Sequence, residues 1–182
     1  YTILIDKDDN FWVILKNNRL LFLPNDFDEI ENYSTDYIFD QDGTNPERFQ
    51  SEINSTSASG SFIDYRIQFF KSGTNIPVAL TNFYVTGVDV DGSSSSREYI
   101  ELSDFSSYTV NNPSGLTIGV SPTNSLNTRF TGIDSSLSGI TFENSASFIA
   151  NYQSPLTELN FRKGVTGTSS ARQFSVSFGA AG

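Results

Sequence analysis

The sequence predicts an all-β fold: an antiparallel β-sandwich, jelly-roll or immunoglobulin-like, with an N-terminal strand and hairpin extension. Short apolar runs, many alternating with polar residues, are punctuated at close intervals by Gly, Asn, Asp, Ser and Pro. Phe (16) and Tyr (8) supply much of the apolar area, and aromatic residues favour strands. No fixed long period marks a solenoid or propeller.

Residues 1–5 (YTILI) read as a first strand, ended by Asp6-Lys7-Asp8-Asp9-Asn10. Residues 11–15 (FWVIL) and 19–23 (RLLFL) flank Lys16-Asn17-Asn18, where Asn tolerates the positive φ of a tight turn, so the pair reads as a hairpin. An amphipathic helix over 11–23 is the alternative, opposed by the β-branched and aromatic content. Residues 24–61 are the least regular and read as loop-rich, with one short helical turn near 26–32. At 62–70 (FIDYRIQFF), Ile63, Tyr65, Ile67 and Phe69 fall on one face, and Asp64, Arg66 and Gln68 on the other. Further strands are expected at 78–90, 98–102, 108–110, 116–120, 128–130, 139–142, 148–152, 156–161 and 173–178. The Ser/Thr/Gly-rich stretch 54–61 suggests a division. Residues 1–61 would form an acidic, loop-rich extension, packed on or exchanged between sandwiches, and 62–182 the sandwich core.

Composition excludes several chemistries. The 182 residues contain no Cys, His or Met, and 11 Lys+Arg stand against 21 Asp+Glu, a net charge of −10. Without thiolate or imidazole there is no zinc or haem ligand set of the usual kind, no Cys nucleophile and no Ser-His-Asp triad. The acid excess disfavours nucleic acid and anionic membrane surfaces as partners. No stretch is long and apolar enough for a transmembrane helix. A chain that starts at Tyr1 and lacks Met is expected to be a mature product or a piece of a longer protein.

Three acidic clusters offer hard oxygen ligands suited to Ca²⁺, the one cofactor the sequence suggests. Asp89-Val90-Asp91-Gly92 places carboxylates at i and i+2 on one face at a strand end, followed by a glycine for a sharp turn. Its spacing departs from an EF-hand, with Ser93 and Glu98 out of place for that loop. Asp40-Gln41-Asp42-Gly43 and Asp6-Lys7-Asp8-Asp9 are the other two clusters. The competing reading for all three is a solvated turn, with Arg97 pairing Asp89 or Asp91 in the first. Paired carboxylates for a glycosidase would have to come from Glu98, Glu101, Asp104, Glu143 and Glu158, and nothing local sets two of them across a cleft. The expectation is a protein that is not an enzyme.

The stretch NFYVTGVDVDGSSSSREYIE at 82–101, preceded by FIDYRIQFFKSGTNIPVALT and followed at the end by LTELNFRKGVTGTSSARQFSVSFG, resembles adhesin-like domains. These occur in large secreted or surface-anchored bacterial exoproteins, especially those of marine gliding bacteria. The likeness covers roughly residues 45–182. It implies an extracellular β-sandwich module of attachment, matrix or fibre, and it carries over no functional residue.

The expected function is therefore a non-enzymatic structural or adhesive module at the cell surface, self-assembling into a fibre or matrix. Its partners would be copies of itself. The apolar N-terminal strands supply the joining element through Ile3, Ile5, Trp12, Ile14, Leu21 and Leu23. The alternative is a carbohydrate-binding module with surface glycans as partners, using Ca²⁺ and exposed rings, with Tyr99, Tyr108 and Tyr152 as candidates beside Trp12, Tyr33 and Tyr37. Against it, Tyr and Phe also serve simply to fill a sandwich core. Asn32-Tyr33-Ser34 and Asn54-Ser55-Thr56 match the N-glycosylation pattern.

Overall fold

A computed structural model describes residues 2–5, 11–14, 20–23, 48–71, 74–139 and 142–180, with side chains described for 49–71, 74–139 and 142–179. The strands are β1 (Thr2–Ile5), β2 (Phe11–Ile14), β3 (Leu20–Leu23), β4 (Arg48–Ser55), β5 (Ser61–Gln68), β6 (Phe83–Val88) and β7 (Glu98–Leu102). They continue with β8 (Ser107–Val110), β9 (Thr117–Val120), β10 (Thr128–Thr131), β11 (Phe148–Tyr152), β12 (Glu158–Val165) and β13 (Ser169–Ala180). Among the described residues, a single 3-10 turn lies at Asn144–Ala146.

Two antiparallel five-stranded sheets face each other as a β-sandwich. One runs β5-β12-β7-β10-β9, here called sheet A, and the other β4-β13-β6-β11-β8, sheet B. The β1, β2, β3 meander continues sheet A beyond β5. That join is parallel, and its register rests on Thr2 opposite Arg66 and Ile3 opposite Ile67. By contrast β5 pairs with β12 from Ser61 to Gln68.

Period-two alternation builds the core. Tyr65 and Ile67 of β5, Ile100 and Leu102 of β7, Phe130 of β10, and Leu159, Phe161 and Val165 of β12 point inward from sheet A. Ile53, Phe83, Val85, Phe148, Ala150, Tyr152, Phe174 and Val176 answer from sheet B. Phe130 and Phe148 stack across the layers with centroids 3.8 Å apart, and Phe49 meets Tyr65 edge-on at 4.9 Å. Burying each such ring contributes about 1.5–3 kcal/mol, so this aromatic seam is a main source of cohesion.

The structure corrects several sequence expectations. Residues 48–55 form a strand rather than loop, and β4 pairs along β13 from Ser55 to Arg48, so the sandwich includes residues on the N-terminal side of the expected division. Its inward row, Phe49, Ser51, Ile53 and Ser55, alternates apolar with serine, which disguises the hydrophobic face. The expected strand at 78–90 shrinks to Phe83–Val88, because Asn82 and Asp89 adopt positive φ of 55° and 60° and break the extended backbone on either side. Gly139 and Phe142, the two ends of the expected strand 139–142, lie outside any strand. β12 and β13 run longer than expected, through Lys163 and out to Ala180. The helical turn expected near 26–32 falls outside the described residues.

Candidate functional site

β7 determines where the charged chemistry goes. Glu98 and Glu101 stand three residues apart on one strand and therefore face opposite sides of sheet A. Both are almost fully buried, at 2% and 0% exposure.

Glu98 points into one end of the sandwich. Arg172 of β13 donates from Nε to Glu98 Oε1 at 3.0 Å and from Nη2 to Asp91 Oδ1, so a single guanidinium binds two carboxylates from across the sheets. The backbone N–H of Asp91 donates to Glu98 Oε2 at 3.0 Å, and that of Leu137 donates to Asp91 Oδ2. Asp89 is buried alongside. Burial pushes the Glu98 carboxyl well above its ordinary range, against the pull of Arg172, and the charges of Asp91 and Asp89 push it the same way. Burial likewise raises Asp91, opposed by the Leu137 N–H and by Arg172. The cluster ties four pieces together: the crossing segment after β6, β7, the 132–139 loop and β13.

Glu101 points outward into a row of alternating charge, in which Asp64, Arg162, Glu101 and Arg129 lie side by side on β5, β12, β7 and β10. Arg162 donates to both oxygens of Asp64 at 2.6 and 2.9 Å, and from Nη1 to Thr123 Oγ1 at 2.7 Å. Arg129 Nε donates to Glu101 Oε1 at 2.7 Å, joined by the Ser121 hydroxyl at 2.8 Å. The Asp64 hydrogen bond raises the Arg162 pKa further above its already high ordinary value. Both guanidiniums also cover rings: Arg129 lies 3.8 Å from the Tyr99 centroid and Arg162 3.7 Å from that of Phe62. Tyr99 in turn lies over Gly164, where a Cβ would come within 2.3 Å of the ring.

Two more polar struts cross the interior. Tyr65 donates its hydroxyl to Ser51 Oγ at 2.8 Å, and the fully buried Lys163 donates Nζ to the Phe174 carbonyl beside that ring.

The sequence-predicted site residues fare differently. Asp91 does not present its carboxylate to solvent as a turn ligand for Ca²⁺, because both of its oxygens accept hydrogen bonds inside the fold. Arg97 pairs with Asp134 at 3.1 Å rather than with Asp89 or Asp91. Among the described residues, no group of three or more Asp and Glu is arranged to hold a metal ion. Asp6, Asp8, Asp40 and Asp42 lie outside the described residues. So do the side chains of Ile3, Ile5, Trp12, Ile14, Leu21 and Leu23, whose backbones form β1, β2 and β3. Of the proposed sugar platforms, Tyr152 is wholly buried and stacks on Phe83 at 4.7 Å, and Tyr99 is capped by Arg129; neither ring is open for stacking. Tyr108 remains 44% exposed. Glu158 binds Arg66, Gln68 and Asn160 on the outer face of sheet A, and these bonds lower its pKa against a smaller burial effect.

Sequence reasoning missed Arg172, Lys163, Arg129 and Arg162. One signal was available: Arg162 and Lys163 are neighbours within a strand, so one of the two must face the core. No family model, curated protein or solved structure matches the chain.

Proposed function

We propose that this protein is a non-enzymatic, extracellular structural or adhesive module, a self-assembling subunit of a surface fibre or matrix. The observation that carries the reading is the join between β1 and β5. Among the described residues, backbone pairing of the apolar N-terminal meander to the sandwich edge rests on Thr2 and Ile3, whereas β5 pairs with β12 along its whole length from Ser61 to Gln68. Residues 24–47 connect β3 to β4 and can span up to about 80 Å when extended, enough for the same contact to form with the β5 edge of another copy. The buried carboxylates at Glu98, Glu101 and Asp91 are engaged by arginines within the fold, a structural use that suits a scaffold.

Electron microscopy and size-exclusion chromatography of the full chain and of a chain lacking residues 1–23 test the reading. Assemblies from the full chain and a small soluble species, no larger than a dimer, from the truncated one are expected. Polymerisation of the truncated chain overturns exchange through the N-terminal strands.

A second reading, a carbohydrate-binding module, is favoured by the exposed Tyr108 ring with Ser107 and Thr109 beside it on β8. Retention of a monomer on a polysaccharide column supports it.

A further inference from the structure

Residues 105–128 contain no Asp, Glu, Lys or Arg, in a chain whose net charge is −10. This stretch builds one whole side of the sandwich: β8, the last strand of sheet B, the connection after it, β9, the last strand of sheet A, and the turn into β10. Nearly all of it is accessible. Only Leu116 and Ser121 are buried, whereas Leu126 is 83%, Val120 69% and Tyr108 44% exposed. The opposite side, formed by β4 and β5, carries Glu52, Asp64 and Arg66.

Among the described residues, β9 is also an open edge. Ser121 donates its N–H to the Asn127 carbonyl, and the alternation of an antiparallel ladder then turns the N–H and C=O of Val120 and Ile118 away from β10. Folded proteins commonly guard such edges with charge, Pro or a bulge. β9 (TIGV) has none of these within it, and Pro122 only limits its length.

We propose that this uncharged side is an edge-to-edge contact between two copies of the chain, with β9 pairing antiparallel to β9 of the second copy. The inference rests on the self-assembly reading above and names a surface for it. An identical copy is the fitting occupant for two reasons. The N–H and C=O groups of Ile118 and Val120, unpaired among the described residues, call for another strand, which a glycan does not supply. Two strongly acidic molecules also approach with least repulsion where neither carries charge. The pairing is isologous, so it closes as a dimer, while exchange of the N-terminal strands is the contact that extends a chain of such dimers.

The test is sedimentation velocity over a concentration series with the full chain, the variant Val120→Lys/Leu126→Lys, and the chain lacking residues 1–23. Both substituted side chains are exposed, so thermal melting of the variant is expected to match the parent. The variant's net charge falls from −10 to −8 (−10 + 2), which by itself favours association, so a loss of association is specific to the edge. We expect the variant to weaken dimerisation at least about tenfold, a loss of about 1.4 kcal/mol. Unchanged sedimentation of the variant, with assembly lost in the truncated chain, overturns the edge contact and leaves the proposed function standing. Dimers in the truncated chain that disappear with the lysines support the edge contact. A full chain that stays monomeric overturns both. Loss of polysaccharide retention with unchanged sedimentation assigns the side to a glycan and overturns the proposal.

Discussion

Replacing Arg172 by Met keeps much of the side-chain volume in the interior and removes the cation that Asp91 and Glu98 share. Taking away one partner of a buried ion pair typically costs about 3–5 kcal/mol, because the remaining charge is left uncompensated. The Arg172 side chain is 20% exposed, so some solvent reaches the site and the lower end, about 3 kcal/mol, is the working figure. For a domain of this size that is a fall of roughly 6–12 °C in Tm. The loss depends on pH. Both carboxyls titrate above their ordinary values of 4.5 and 3.8 in the folded protein, chiefly through burial, so their protonated forms favour the fold. That contribution is complete below the ordinary values and is lost as pH rises through the folded ones. Arg172 opposes the upward shift in both groups, so without it the folded values climb further. The variant's deficit is therefore larger at about pH 8 than at about pH 5, because lowering the pH favours the protonated acids, which need no cation. Urea unfolding followed by circular dichroism at both pH values measures it. A deficit under about 1 kcal/mol at the higher pH, or one equal at both, would refute the shared-guanidinium account.

The outer face of sheet A offers a second comparison, between a buried carboxylate on β7 and a part-exposed one on β12. Glu101→Ala leaves Arg129 and Arg162 without their buried partner and is expected to cost about 3 kcal/mol, whereas Glu158→Ala on the exposed face costs under about 1 kcal/mol by the same denaturation assay. Gly164→Ala drives a Cβ into the Tyr99 ring and should cost about 1–3 kcal/mol, while Gly119→Ala, with nothing within 4 Å of its Cβ position, should be neutral or stabilising by up to about 1 kcal/mol. A Tm that falls equally for both glycines would show that close ring packing is not the cause. Tyr152→Phe removes a buried hydroxyl that meets no partner among the described residues, and stability is expected to hold or rise by about 1 kcal/mol. A loss greater than that would reveal a hydrogen bond to this hydroxyl.

The sandwich was legible in the sequence because most of its strands advertise one apolar face. Residues 98–102 and 148–152 match β7 and β11 end to end. What stayed hidden lies where polar residues face inward. β4 turns Ser51 and Ser55 to the interior, Ser51 to receive the Tyr65 hydroxyl, so its alternation looks like loop. β12 carries Lys163 inward, and a strand expected to end at 161 continues past it. The acidic site was located in part. Asp89-Val90-Asp91 drew attention as a carboxylate pair, but the residue that governs it, Arg172, is some eighty positions away in sequence. Local spacing carries no information about a partner brought in by the opposite sheet. The reading of Tyr99 and Tyr152 as surface rings failed for two reasons: Tyr152 shares the inward face of β11 with Phe148 and Ala150, while Tyr99 leaves the outer face of β7 but lies under Arg129, which alternation does not show.

The interior polar groups share one design. Tyr65 with Ser51, Lys163 with the Phe174 carbonyl, and Glu98 with Arg172 each join one group from sheet A to one from sheet B. An apolar core of this volume tolerates small relative shifts of its layers, since hydrophobic contacts are non-directional. These three bonds do not, because sliding one sheet over the other separates the partners and leaves a buried charge or hydroxyl unpaired. The bridges therefore fix the relative placement of the two sheets more than they add to total stability. That property bears on assembly. The proposed contacts at β5 and β9 both act on sheet A, so force along an assembled chain enters one layer alone. The other layer braces that one against distortion through the aromatic seam and these three bonds. The Arg172→Met variant should thus weaken the module against shear between its sheets even at a pH where its equilibrium stability has largely recovered.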